Sequence, residues 1–177
     1  LFNKAKEVGI TIFSSPFDST AVDLLAELGA PAFKIASFEL VDLELIKKVA
    51  NTGKPIIMSR GMASKIEVEE AVDTARNNGS EQIVVLQCVS GYPTPANEYN
   101  LKTIGDIRSS FNVVPGLSDH TTGNATAIAA VALGACVLEK HVTVNRDGGG
   151  PDDSFSIEPP ELKRLCEDVK IAWESIG

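Results

Sequence analysis

Aromatic residues make up only 6% of this 177-residue chain, with one tryptophan and two tyrosines, and there are just two histidines and two methionines. Cysteine is as scarce. Cys88, Cys136 and Cys166 are an odd number with no CxxC or CxH spacing, which argues against a disulfide framework or structural zinc site and points to a reducing compartment. No apolar run approaches the roughly 20 residues that span a bilayer, and no signal-peptide pattern appears; a cytoplasmic protein without a membrane partner is expected. Basic residues are outnumbered 16 to 24, for a formal charge of −8 and a pI near 4.8. Lacking any basic run, the chain is not expected to bind nucleic acid. What is present, 44% hydrophobic and 23% charged residues, is the composition of a soluble globular protein long enough to bury a sizeable core.

One pattern recurs along the chain. An amphipathic stretch ends at a glycine, a short apolar run follows, and that run ends in polar residues. Helices are read at residues 1–8, 21–28, 43–50, 66–76, 101–111, 125–133 and 160–176, and strands at 10–13, 32–36, 55–58, 83–86, 113–117 and 136–138. The glycines suit left-handed helix C-terminal positions, and the unalternating strands suit a parallel sheet covered on both faces. Such alternation fits either an open doubly wound sheet or a (β/α)8 TIM barrel. Polar residues at every strand end favour the barrel, whose active site lies on the C-terminal rim. Six βα units are two short of closure and Leu1 is not Met, so residues 1–177 are expected to be a partial TIM-barrel domain without its first two units. The apolar face of the last helix, with Trp173, is expected in the core.

Chemistry-bearing residues cluster at these strand ends. His120 and His141 each follow an apolar strand directly and each has an acid nearby, Asp119 or Glu139. Neighbouring strands would bring both imidazoles to one rim, where they could share a divalent metal; the alternative is two hydrogen-bonded structural histidines. A mixed nitrogen and oxygen shell suits Mn²⁺. Lys34 interrupts an apolar strand, and its ammonium needs a partner there. It would either form a Schiff base, as in a lysine aldolase, or bind an anion as a point charge. Ser15, Ser37, Ser59 and Ser118 end strands and suit donors around that anion, or ordinary turn chemistry. Glu39 is a general acid/base candidate or a helix-start residue. Ser90 to Pro95 form a proline-bracketed loop presenting Tyr92, and the glycines at 148–150 suggest a mobile loop delivering Asp152.

The blocks Ser14-Ser15-Pro16-Phe17, Phe33-Lys34-Ile35-Ala36-Ser37-Phe38-Glu39, Pro55-Ile56-Ile57-Met58-Ser59-Arg60-Gly61-Met62, Tyr92-Pro93-Thr94-Pro95, Gly116-Leu117-Ser118-Asp119-His120-Thr121, Glu139-Lys140-His141 and Gly150-Pro151-Asp152 together resemble the catalytic barrel of the sialic acid synthase family. The resemblance implies condensation of phosphoenolpyruvate with an acetamido-sugar aldose by a homodimer whose small C-terminal antifreeze-like domain lies outside this chain. It assigns metal binding to His120 and His141, with Mn²⁺ first and Mg²⁺ or Co²⁺ as alternatives. Phosphoenolpyruvate would be held by Ser15, Lys34, Ser37, Ser59 and Ser118, with Glu39 near the reacting carbons and Ser90, Tyr92 and Asp152 facing the sugar. Ser90 stands where N-acetylneuraminate-forming members tend to have Asn, and Arg60 where Thr is common. Residues 153–159 are similar to the pseudaminic and legionaminic acid branch. Competing readings are N-acetylneuraminate synthase proper, a Lys34 Schiff-base aldolase, and a sugar-binding module without turnover.

Overall fold

The computed structural model describes residues 1–177, which divide into two compact units, Leu1–Val84 and Val85–Gly177. In the first, helix α1 (Phe2–Val8) is followed by α2 (Ser19–Glu27), strand β1 (Phe33–Ile35), α3 (Leu43–Ala50), strand β2 (Ile56–Ser59) and α4 (Lys65–Asn77). Local chemistry sets the helix starts. The Asp18 and Asp42 carboxylates accept the Ala21 and Leu45 N–H groups, and Ser64 and Glu67 exchange bonds in a capping box. β1 and β2 run parallel in the register Phe33↔Ile56, Lys34↔Ile57, Ile35↔Met58. Beyond β2, the Ile56 N–H bonds to the Gln82 carbonyl, where β3 (Ile83–Gln87) begins and carries the chain out of this unit. Phe33, Ile35, Leu40, Ile46, Ile56, Met58 and Val68 are fully buried and form this unit's apolar interior.

The expected strand at residues 10–13 is absent. Only Ser14 makes a parallel bridge to Phe33, its carbonyl accepting the Lys34 N–H at 3.2 Å. Ile10 and Phe13 stay exposed, so this stretch lacks the two covered faces that hold the other strands. The structure therefore has five strands where six were expected.

The second unit holds the rest of β3, α5 (Thr103–Phe111), β4 (Val114–Asp119), α6 (Ala125–Ala132), β5 (Val137–Lys140) and α7 (Pro159–Glu174). β3, β4 and β5 lie side by side in that order. The β4–β5 pair is parallel, running from Gly116↔Val137 to Asp119↔Lys140. Gly116 allows that approach, since a Cβ there would sit 2.4 Å from Leu86 Cδ2 and 2.6 Å from the Val137 carbonyl oxygen. Helix α5 lacks the closing glycine, and Asn112 takes the left-handed turn instead, at φ 50°. Tyr99, Ile104, Leu117, Ala130, Ile157 and Leu165 form one buried cluster. Trp173 does not join it. It is 68% exposed, because the inward stripe of α7 finds its partners at Leu162, Leu165 and Val169, whereas Trp173, one turn on, only lines a surface groove with Val131, Ala135 and Cys136.

Candidate functional site

β1 and β2 position the polar residues of the first unit. Lys34 is buried at the middle of β1, and its ammonium donates to Ser59 Oγ at 2.9 Å and to the Ile35 carbonyl at 3.3 Å. Ser59 closes β2 and is itself buried, so the ammonium that the sequence placed in an apolar strand meets a hydroxyl from the neighbouring one. Ser37 is buried just after β1, at the start of a 3-10 turn over Phe38–Val41. Glu39 lies within that turn, half-buried, and not at the start of α3. Ser15 is half-buried beside the Ser14 bridge.

In the second unit the two histidines meet. They follow the last paired residues of β4 and β5, and their ring centroids are 5.3 Å apart. His120 is buried and held on every side. Its backbone N–H donates to the Tyr99 hydroxyl at 2.6 Å, its carbonyl accepts from the Thr94 N–H, and its Nδ1 lies 2.8 Å from the Val89 carbonyl. A carbonyl only accepts, so Nδ1 carries the ring proton and Nε2 keeps its lone pair. Burial holds His120 below the ordinary 6.5 of a histidine and so favours the neutral ring. His141 is half-exposed, with Nδ1 3.4 Å from the Asp152 carboxylate. The expected glycine-rich loop thus brings Asp152 to the second imidazole. Tyr92, half-exposed, lies 4.3 Å from the His120 ring and 5.7 Å from His141, centroid to centroid, and Phe155 completes the aromatic group 5.2 Å from His141. Burial raises the Tyr92 phenol above its ordinary 10. Ser90 is half-buried in the loop before Tyr92.

Ser118 gives its proton to Glu139 Oε1 at 2.7 Å, while its oxygen faces His120 Nε2 at 3.3 Å. With Nδ1 protonated, Nε2 is the ring nitrogen that keeps a lone pair for an ion. Two imidazoles binding one ion at about 2.1 Å each also put their ring centroids on the order of 5 Å apart. The pair therefore fits a shared divalent ion. No group of three or more His, Cys, Asp or Glu side chains is arranged to hold one.

Three residues of this site, Tyr99, Phe155 and Lys140, had no role in the sequence reading, and Asp119 was read only as an acid beside His120. Tyr99 supports His120 from a loop, and its buried phenol is pushed up to about 12 by desolvation. Phe155 packs on His141. Asp119 and Lys140 form a buried ion pair at 2.7 Å.

The NeuB family profile matches residues 1–177. An N,N'-diacetyllegionaminic acid synthase of Campylobacter jejuni is 45% identical over 175 residues, 98% of this chain and 52% of that protein. A pseudaminic acid synthase of Helicobacter pylori is 42% identical over 177 residues, covering 100% of this chain and 52% of that one. The crystal structure of an N-acetylneuraminic acid (sialic acid) synthetase from Leptospira borgpetersenii matches with a TM-score of 0.95 at 35% identity, over 99% of this chain and 61% of its own. The chain spans about half the length of the curated relatives it matches. Family profile, relatives and fold agree, and the chain belongs to the NeuB family of sialic acid synthases.

Proposed function

We propose that this chain carries the catalytic part of a nonulosonic acid synthase, which joins C3 of phosphoenolpyruvate to the aldehyde carbon of an N-acetylated hexosamine-type aldose and releases inorganic phosphate. One observation carries the reading: two imidazoles leave adjacent parallel strands 5.3 Å apart, one of them with its proton committed to a carbonyl. The likeness to the synthetase structure supports reading the parallel β/α pattern as part of a (β/α)8 barrel.

His120 and His141 would hold the divalent ion, which when bound supplies Lewis-acid polarisation of the aldehyde oxygen. The chain's own side chains do the rest. Lys34 Nζ, with the hydroxyls of Ser59, Ser37 and Ser15, binds the phosphate and carboxylate of phosphoenolpyruvate as preorganised donors. The family resemblance also gives Ser118 to phosphoenolpyruvate, as a further hydroxyl donor. As the new C–C bond forms, positive charge develops at C2, water adds there, and phosphate leaves by C–O cleavage. Lysine and hydroxyls stabilise the departing charge without a covalent adduct, and Glu39 accepts the proton of the attacking water. Tyr92, Ser90 and Asp152 orient the sugar. The legionaminic and pseudaminic acid synthases among the relatives, with Ser90 and residues 153–159, favour an acceptor of that branch.

The test is phosphate release from phosphoenolpyruvate by the full-length protein with Mn²⁺, against a panel of acetamido-sugars. His120→Ala and His141→Ala are each expected to abolish metal-dependent turnover, and full turnover in either overturns the assignment. Borohydride trapping of a keto substrate on Lys34 would instead establish the aldolase reading.

A further inference from the structure

Asp119 and Lys140 are direct cross-strand partners, the last registered pair of β4 and β5. Their side chains are 1% and 5% exposed, and the ammonium lies 2.7 Å from Asp119 Oδ2. Taking two charges out of water is costly, and a buried pair of this kind is often no more stabilising than an apolar pair of similar size. Its geometry is what an apolar pair lacks. Asp119 Oδ1 accepts the Thr121 N–H at 2.9 Å and the Thr121 hydroxyl at 2.8 Å, and Lys140 Nζ donates to the Thr121 carbonyl at 2.8 Å. The residue enclosed between Asp119 and Thr121 is His120, and the residue after Lys140 is His141. Directional bonds thus fix the backbone at the point where both imidazoles leave the sheet.

We infer that the Asp119–Lys140 pair is a positioning device that sets the separation and facing of the two imidazoles; its role in metal affinity rests on the reading that those rings share a divalent ion. Both residues act through the chain segments that carry the rings, as hydrogen-bonded outer groups act on metal ligands elsewhere.

The experiment uses the full-length protein and four variants: Asp119→Asn, Lys140→Met, the neutral double variant Asp119→Asn/Lys140→Met, and Lys140→Arg. Mn²⁺ binding is read from the electron paramagnetic resonance signal of the free ion. Ring geometry is read from nuclear Overhauser contacts between selectively labelled histidine rings without metal, and folding from thermal melts. The double variant buries no unpaired charge, so it keeps the test open if a single variant fails to fold. The double variant and each folded single variant are expected to bind Mn²⁺ about 10- to 100-fold more weakly and to lose the ring-to-ring contacts. Lys140→Arg should retain both. Wild-type affinity and intact ring contacts in the neutral double variant would overturn the inference. If wild-type protein binds Mn²⁺ no better than His120→Ala, the metal reading falls, and the ring contacts alone then decide the positioning role.

Discussion

Tyr99 offers the sharpest test of how the first imidazole is held. Its side chain is fully buried, and its hydroxyl accepts the His120 N–H at 2.6 Å. Tyr99→Phe keeps the ring and removes the oxygen, leaving a buried amide without a partner. Such a group costs about 1–3 kcal/mol, and in a protein of this size each kcal/mol lowers Tm by roughly 2–4 °C. At neutral pH the variant should therefore melt about 2–12 °C below wild type. Alkaline pH adds a second signature. Desolvation raises the phenol from 10 to about 12, so the folded state resists ionisation that the unfolded chain accepts. Stability from this shift is intact below pH 10 and lost as pH rises from 10 toward 12. Two pKa units amount to roughly 2.7 kcal/mol. Tyr99→Phe cannot ionise, so the stability gap between wild type and variant should shrink across that interval. Paired urea titrations at several pH values measure both effects. Equal stability at pH 7, or a gap that stays constant up to pH 12, would refute the hydrogen-bonding account.

Three further outcomes follow from the same geometry. Gly116→Ala should destabilise by about 1–3 kcal/mol in chemical denaturation, because its Cβ would meet the Val137 carbonyl at 2.6 Å and force β5 away from β4; wild-type stability would mean the sheet yields freely. Lys34→Arg should lower kcat/KM for phosphoenolpyruvate roughly 10- to 150-fold, the value of a charged hydrogen bond of about 1.5–3 kcal/mol, since a planar fork does not replace a point donor between Ser59 Oγ and the Ile35 carbonyl; unchanged steady-state kinetics would remove Lys34 from the anion site. Burial lowers the His120 pKa below 6.5, so metal-free protein should hold this contribution above pH 6.5 and lose it as pH falls through the folded value, because the unfolded chain takes up the proton first. A His120 ring that titrates at or above 6.5 by NMR would contradict this.

Helix ends were legible in the sequence because their chemistry is local: a glycine is needed where φ turns positive, and Gly9 and Gly134 are there. The strand ends were legible because an apolar run gives way to polar residues within one or two positions, which puts Ser59 at the end of β2 and His120 and His141 just after β4 and β5. Partnership was not legible. Nothing in the sequence names a partner for Lys140, and only strand pairing sets it against Asp119. Tyr99 lies 21 residues before the amide it serves, in a loop without periodicity. Trp173 continues an amphipathic stripe, and a stripe tells which face is apolar without telling what covers it. Residues 10–13 show the same limit in a strand: their apolar character is sufficient, and only one residue beyond them pairs.

What matters most for the proposed chemistry is therefore the register between β4 and β5. Each strand alone puts a histidine after an apolar run, but a slip of one residue would turn one ring to the opposite face of the sheet. Gly116 opposite Val137 and Asp119 opposite Lys140 mark the two ends of the paired segment. At the first, the absence of a Cβ lets the strands approach; at the second, buried charges find their partners only in this alignment. Between them they specify the register by exclusion at one end and by attraction at the other. That is why a charged pair of doubtful stabilising value lies next to the rings, where an error in alignment would cost the site most.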